Sequence, residues 1–451
     1  MTTKPVVGWP MSSELATPAD RGAPSANRVV WDALRRGLRP VVRSPWWIRI
    51  TLLYLVTRLF SFAVFSAAAM QQGPNPWFAP KPDYWHFIGI WDGEWYQRIF
   101  QGLYPQEIPR GADGVAKENA WAFYPLFPLL VRGIWSVTGL DWLILAPIVA
   151  TVAGLAASLM IYKLFRLFAS TVTATWAVAF ILVFPVSPIL QVPYAESLNL
   201  FLLAAALYTV IKHRYFLALP LVAFSALSRP IGVAFAGFVF LHLLFRLLER
   251  PNPAGSRTAG ETGAGRSTSR RSLPRRWREI PSAQRWGGAC LLLVSTLVAF
   301  AWPLIAWWVT GDLKAYTETE TVWRGGPLIL FMPWFDTSVQ LFGPVFGLLA
   351  PFGLVLAALL YFNSTAVRKL GLDLRLWCLC YFLYLLAVLH PQTSTFRLLL
   401  PLFPLALAAA FISRSRAFRG AVLVFFLLLQ IVWVVWLWAW APLPGGGDYP
   451  P

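Results

Sequence analysis

Residues 91–105, WDGEWYQRIFQGLYP, and residues 122–135, AFYPLFPLLVRGIW, lie between the first two long apolar runs and decide how the rest of the chain is read. Both are amphipathic at helical spacing. In the first, apolar side chains recur at Trp95, Tyr96, Ile99, Phe100 and Leu103, with Asp92, Glu94, Gln97, Arg98 and Gln101 opposite. In the second, Phe123, Leu126, Phe127, Leu130 and Ile134 share a face, and Pro125 suits a first helical turn. Helices this polar do not cross a bilayer. They are expected to lie along its surface, apolar side into lipid and polar side toward a cavity. Asp92 is then a carboxylate held at the water–lipid boundary.

Working outward, the composition supplies the membrane. Of 451 residues, 57% are hydrophobic and 13% charged, whereas a soluble domain carries about 25% charged residues. The chain reads as an all-α polytopic integral membrane protein with the lipid bilayer as its main partner. Its net charge of +18 lies in tails and short loops, the signature of cytoplasmic orientation rather than of a nucleic-acid partner. Cys290, Cys378 and Cys380 fall inside apolar segments, so neither a disulfide framework nor a zinc site is expected. No two histidines stand at metal-ligand spacing, and no metal is expected. The first apolar run starts near Trp46 and is of spanning length, so no cleavable signal peptide is expected.

The organisation follows from shifts in composition. Residues 1–45, rich in Pro, Ser and Ala, are expected to form a disordered cytoplasmic tail. A membrane module over 46–248 contains the first outer loop, 71–138. Residues 249–285 read as a flexible basic cytoplasmic linker. A second membrane module covers 286–441, and 442–451 form an outer tail. About 11 transmembrane helices are expected, at roughly 48–70, 141–165, 172–190, 193–213, 215–228, 231–247, 286–309, 337–361, 374–389, 396–412 and 419–441. With the amino terminus inside, every basic cluster then falls inside and both carboxylate-bearing loops, 71–138 and 311–333, fall outside. Arg58, within the first span, must face the bundle interior or snorkel, because a charge near a helix centre costs roughly 2.5–3.5 kcal/mol on insertion scales.

Ionisable groups on the outer side are few. Asp92 and Glu94 begin the first amphipathic helix, Glu196 begins the fourth span, and Arg229 sits between spans five and six. His390 and Arg397 flank the turn HPQTSTFR. Two carboxylate-bearing elements and two arginines around one outer cavity suit a phosphate-linked donor: guanidinium forks bind phosphate, and a carboxylate deprotonates an acceptor hydroxyl. Plainer roles exist for each. Asp92 suits a helix N-cap, Glu94 and Glu196 suit the positive end of a helix dipole, and Arg229 and Arg397 suit interface anchoring. Glu318 and Glu320 read as a solvated loop face, and His390 as structural.

Three segments carry a resemblance. WDGEWYQRIFQGLYP followed by AFYPLFPLLVR resembles the first-loop signature of the PIG-V-like mannosyltransferases. PYAESLNLFLLAAALYTV with ALSRPIG downstream is similar to that family's Tyr-(Thr/Ala)-Glu-Ser segment and later Arg-(Ser/Pro)-x-Gly, and FRLLLPLFPL is a weaker third match. They occur in family order to about residue 410. Leu103-Tyr104 departs from the usual direct Gly-Tyr, and 249–285 looks like an insertion. The resemblance implies a GT-C fold and an inverting transfer of a sugar, mannose by family, from a polyprenyl-phosphate donor. The acceptor would be a glycolipid or cell-wall glycan at the outer face of a bacterial plasma membrane. It implies Asp92 as general base, with Glu94, Tyr96, Tyr124, Glu196, Arg229 and Arg397 binding substrate. No cofactor beyond the lipid-linked donor is implied, and no Asp-x-Asp stands ready for a metal-bound nucleotide sugar. The rival reading, a transporter or flippase of a polyprenyl-linked lipid, calls for internal pseudo-symmetry and acidic residues at mid-membrane; neither is evident in the sequence. A non-catalytic scaffold would have no reason to place a carboxylate at the start of an amphipathic outer helix.

Overall fold

The computed structural model describes residues 43–248 and 281–440. The tail assigned to 1–45 falls almost entirely outside the described residues, as do most of the 249–285 linker and all of the 442–451 tail. Residues up to Arg49 form one unit and those from Ile50 onward another; the site described below lies in the second.

Every regular element is helical, and among the described residues the one β-type pairing is an isolated bridge between Arg110 and Ala116. The first loop is framed by α1 (Trp46–Gln71) and α5 (Trp142–Phe165), and holds α2 (Tyr84–Ile88), α3 (Asp92–Gly102) and α4 (Leu126–Thr138). Four shorter apolar helices follow: α6 (Thr171–Leu182), α7 (Glu196–Ile211), α8 (Tyr215–Ala226) and α9 (Gly232–Leu248). Then come α10 (Ser282–Ala299), α11 (Ala301–Thr310), α12 (Ala315–Arg324) and the long α13 (Met332–Phe362). The chain closes with α14 (Thr365–Arg368), α15 (Gly371–Val388), α16 (Thr395–Leu398), α17 (Pro404–Ile412) and α18 (Arg416–Val432), which runs into a π-helical turn, Trp433–Trp438.

Five of these are long and apolar enough to cross a membrane: α1, α5, α13, α15 and the last, Arg416–Trp438. Two bent pairs bring the number up to seven, α10 with α11 at 45° and Thr395–Leu402 with α17 at 77°. The chain is therefore a helical protein built for a bilayer. The four shorter helices stand where the third to sixth spans are expected. At about 1.5 Å per residue, α6 alone falls well short of a hydrocarbon core of about 30 Å.

The proline-bearing sequence FPVSP (184–188) ends α6 and leaves carbonyls without helical partners. Arg58 supplies what is missing. Its Nη2 donates to Leu182 O at 2.9 Å and to Ser187 Oγ at 3.2 Å, and its Nη1 donates to Ser187 O. Gln430 adds a donation to Ser187 Oγ at 2.8 Å. Arg58 is thus turned into the bundle, as its position required, and it caps a broken helix there. Nearby, α1 and α5 approach closely at Gly154, where a Cβ would lie 2.5 Å from Tyr54 Oη.

The two amphipathic stretches form helices, but their apolar faces meet protein rather than lipid. Tyr96, Ile99 and Phe100 of α3 pack with Phe127 and Val131 of α4 and with Trp142, Leu145, Ala146 and Ala150 of α5 in one buried cluster. The reason is geometric: α4 begins only at Leu126, so Phe127, Pro128 and Val131 form its buried face, while Leu130 is exposed. Leu103, counted in the first stripe, ends α3 at φ 62° and is also exposed.

The two carboxylate-bearing loops share one face of the molecule. Arg110 donates to Asp312 at 3.0 Å and to Glu318 at 2.7 Å. At the end of the helices remote from Arg229, Tyr215 Oη lies 2.9 Å from His242 Nε2, and His242 Nδ1 lies 2.7 Å from Asp373 Oδ1. These contacts tie α8, α9 and α15 together.

Candidate active site

Four ionised side chains that are distant in sequence meet on the loop-bearing face. Asp92 opens α3, Glu196 opens α7, Arg229 sits in the turn between α8 and α9, and Arg397 belongs to α16. Arg397 Nη1 donates to Asp92 Oδ2 and, at 3.3 Å, to Glu196 Oε1. Arg229 Nη2 donates to the same Glu196 oxygen at 2.6 Å. The other oxygen, Glu196 Oε2, is buried and accepts no hydrogen bond within the protein. All four are largely removed from water, Asp92 and Arg229 remaining the most open at 15% side-chain exposure each. Burial alone would lower the affinity of Arg229 for its proton, but the charge of Glu196, with Tyr96 and Asp92 behind it, raises it on balance.

Each member is held from behind. Asp92 is aimed by a strained residue: Trp91 has φ 61° and ψ −125°, a backbone state costing on the order of 1–3 kcal/mol. The strain is held by the indole, whose Nε1 donates to Trp438 O at 2.9 Å, and by the edge-on rings of Trp77 and Phe78. Asp92 N–H donates to Tyr194 Oη at 3.0 Å. Gly93 permits this approach, since a Cβ there would meet Pro193 Cγ at 3.3 Å. Arg397 lies with its guanidinium carbon 5.5 Å from the Tyr194 ring centre, a cation–π contact. Its segment is pinned to α15 by Tyr381 Oη donating to Leu398 O and Trp377 Nε1 donating to Pro401 O, each at 2.8 Å.

A cavity of about 230 Å³ opens beside this cluster. Glu196, Arg229 and Arg397 line it, as do Glu320, Trp323 and Arg324 of α12. Asp92 stands behind Arg397 and is not among the lining residues. Chemically, this wall presents two guanidiniums to an anion, with the carboxylates of Glu196 and Asp92 ion-paired to them.

The structure sorts the residues singled out from the sequence. Asp92, Glu196, Arg229 and Arg397 come together. The N-cap position of α3 is Trp91, with no side-chain cap, so the carboxylate of Asp92 is spent on Arg397 rather than on capping. Glu94 is half-buried, lines no part of the cavity and makes no side-chain hydrogen bond among the described residues, which leaves the helix-dipole role. Neither Tyr96 nor Tyr124 lines this cavity, and both rings are packed in the core. Tyr96 sits fully buried among Phe123, Phe127 and Tyr194. Tyr124 packs on Trp302, and its hydroxyl meets Tyr316 Oη at 3.3 Å.

Glu320 is corrected. It is half-buried beside the cavity, where loss of water raises the affinity of its carboxyl for a proton above the ordinary glutamate value, despite its ion pair with Arg324. A sequence signal existed. Tyr316, Thr319, Glu320 and Trp323 recur at helical spacing, and the glutamate belongs to that inward stripe. His390, read as structural, also lines the cavity. Compared with family models and with curated proteins, the chain matches none.

Proposed function

We propose that this protein is an integral membrane glycosyltransferase of the PIG-V-like, GT-C type, carrying about eleven spans once the shorter apolar helices are counted. It moves a sugar, mannose by the resemblance, from a polyprenyl-phosphate donor to a glycolipid or glycan acceptor. The observation that carries the reading is the meeting of Asp92, Glu196, Arg229 and Arg397 beside a cavity on the face bearing both acidic loops. The donor phosphate is taken by the guanidinium forks of Arg397 and Arg229. In taking it, Arg397 gives up Asp92. The freed carboxylate then accepts the proton of the acceptor hydroxyl as its oxygen attacks C1. The bond from C1 to the phosphate oxygen breaks on the opposite side, its electron pair leaves with the polyprenyl phosphate, and the configuration at C1 inverts. Both loops are assigned to the outer face of a bacterial plasma membrane, with the amino terminus inside.

The test is direct. Vesicles holding the purified protein are given labelled polyprenyl-phosphate sugars and a glycan-bearing membrane extract. Label appearing in a new glycoside, with one donor sugar preferred, is the expected result. Label that only crosses the bilayer, still attached to its phosphate, would replace this reading by that of a lipid transporter.

A further inference from the structure

The segment 311–324 contributes to the cavity a wall that the quartet does not explain. Helix α12 is bolted to the first loop along one face: Asn119 Nδ2 donates to Thr319 Oγ1 at 2.9 Å, and Trp323 Nε1 donates to Asn119 O at 3.4 Å. Thr319 is fully buried, and the Trp323 ring is fixed edge-on by Trp95 and Phe123, each with its centre 5.3 Å away. The adjoining face turns Glu320, Trp323 and Arg324 into the cavity. There Arg324 Nη2 donates to Glu320 Oε2 at 2.9 Å.

We infer that Glu320, Trp323 and Arg324 form a binding subsite for a pyranose ring. This rests on the glycosyl-transfer reading above and assigns the sugar's place within it. A pyranose has an apolar C–H face and a rim of adjacent hydroxyls. The first needs a rigid aromatic surface, which Trp323 supplies with both neighbours holding its plane. The second needs paired acceptors and donors at one spot. A carboxylate beside a guanidinium supplies them, with acceptor lone pairs on one and five N–H donors on the other. Glu320 and Arg324 offset one another, so the pair suits neutral hydroxyls, while on the glycosyl-transfer reading the phosphate is taken by the forks of Arg229 and Arg397, which line the same cavity.

The experiment uses the full chain in nanodiscs as wild type, Glu320→Gln, Trp323→Phe and Trp323→Ala. Three probes are titrated: polyprenyl phosphate, the polyprenyl phosphomonosaccharide, and methyl glycosides of common hexoses followed by saturation-transfer NMR. Polyprenyl phosphate should bind all four proteins within about twofold. Glu320→Gln, losing hydrogen bonds to a charged group, should weaken a sugar-bearing probe about tenfold, and Trp323→Phe should retain more binding than Trp323→Ala. Loss on the phosphomonosaccharide places the donor sugar here; loss confined to the methyl glycoside places the acceptor here. Unchanged binding of both sugar-bearing probes overturns the subsite, as does equal weakening of the sugar-free lipid, which marks a structural role. A wild-type protein that binds no sugar probe at all also overturns it. A wild-type protein that ignores polyprenyl phosphate yet holds a methyl glycoside through Glu320 keeps the subsite and removes the lipid-phosphate donor.

Discussion

Replacing Asp92 by Asn separates three roles for this residue, and the structure sets different magnitudes for each. Capping is already removed, because Asp92 is not the cap of α3. If Asp92 only positions Arg397, the change breaks a nearly buried ion pair, a loss of about 3–5 kcal/mol when the remaining charge is stranded. Arg397 is not stranded, since Glu196 remains 3.3 Å away, so the cost in stability should fall below that range. Donor binding would suffer along with the loosened arginine. If Asp92 is the base, the amide cannot take the acceptor's proton, and turnover should fall about 10²–10⁴-fold. Donor affinity should then hold or improve, because the carboxylate that competes with phosphate for Arg397 has gone. The assay is single-turnover transfer at saturating labelled donor, with donor affinity measured on the same vesicles. Near-normal turnover would remove Asp92 as the base and turn attention to the partnerless oxygen of Glu196. Low turnover with weakened donor binding would leave Asp92 a positioning residue.

Four further outcomes follow from the same geometry. Arg397→Lys and Arg229→Lys keep the charge but lose the fork, so donor affinity should drop roughly tenfold in at least one; unchanged donor binding in both would return them to membrane anchoring. Cysteines placed at Asp113 and Glu318 should both react with an impermeant reagent from outside, and one at Thr262 should not; reaction of all three, or of the last alone, would reverse the orientation. Arg58→Leu should lower the thermal stability of the purified protein by about 1–3 kcal/mol, since it strands the Ser187 carbonyl and leaves Leu182 O to Ser187 Oγ and Gln430; an unaltered melting temperature would show that other donors suffice. Because the Glu320 carboxyl holds its proton to a higher pH than an ordinary glutamate, pyranoside binding should fade on acidification through that raised value; a pH-independent binding curve would count against an ionised Glu320.

What the sequence made legible is what rests on local periodicity and on rare charges. Apolar runs located the helices, and the cost of a buried guanidinium turned Arg58 inward without reference to any partner. The quartet was legible only as a list of scarce outer charges. Nothing local says that residue 92 meets residue 397, because that contact depends on α15 pinning the Arg397 segment. Partnering also explains the misreadings. The α3 and α4 stripes were given to lipid because periodicity marks a face as apolar without saying what covers it. Tyr96 and Tyr124 stand near the acid in sequence, yet their rings fill the core. Glu320 was hidden by its charge, although the stripe of Tyr316, Thr319 and Trp323 on the same helix already marked its inner face.

The ion cluster has a further property that lies in its sum. Two carboxylates and two guanidiniums cancel, so before any substrate arrives the site carries no net charge and asks nothing of the low-dielectric helices around it. A phosphodiester brings one negative charge into that balance. That charge competes with Asp92 for Arg397, at distances where Coulomb interactions are several-fold stronger than in water. A carboxylate that loses its guanidinium partner becomes a better proton acceptor. On this accounting an empty site is electrostatically silent. On the proposed reading its basicity is conferred by the donor, so that an acceptor entering first meets a carboxylate still paired with Arg397, and donor binding comes first.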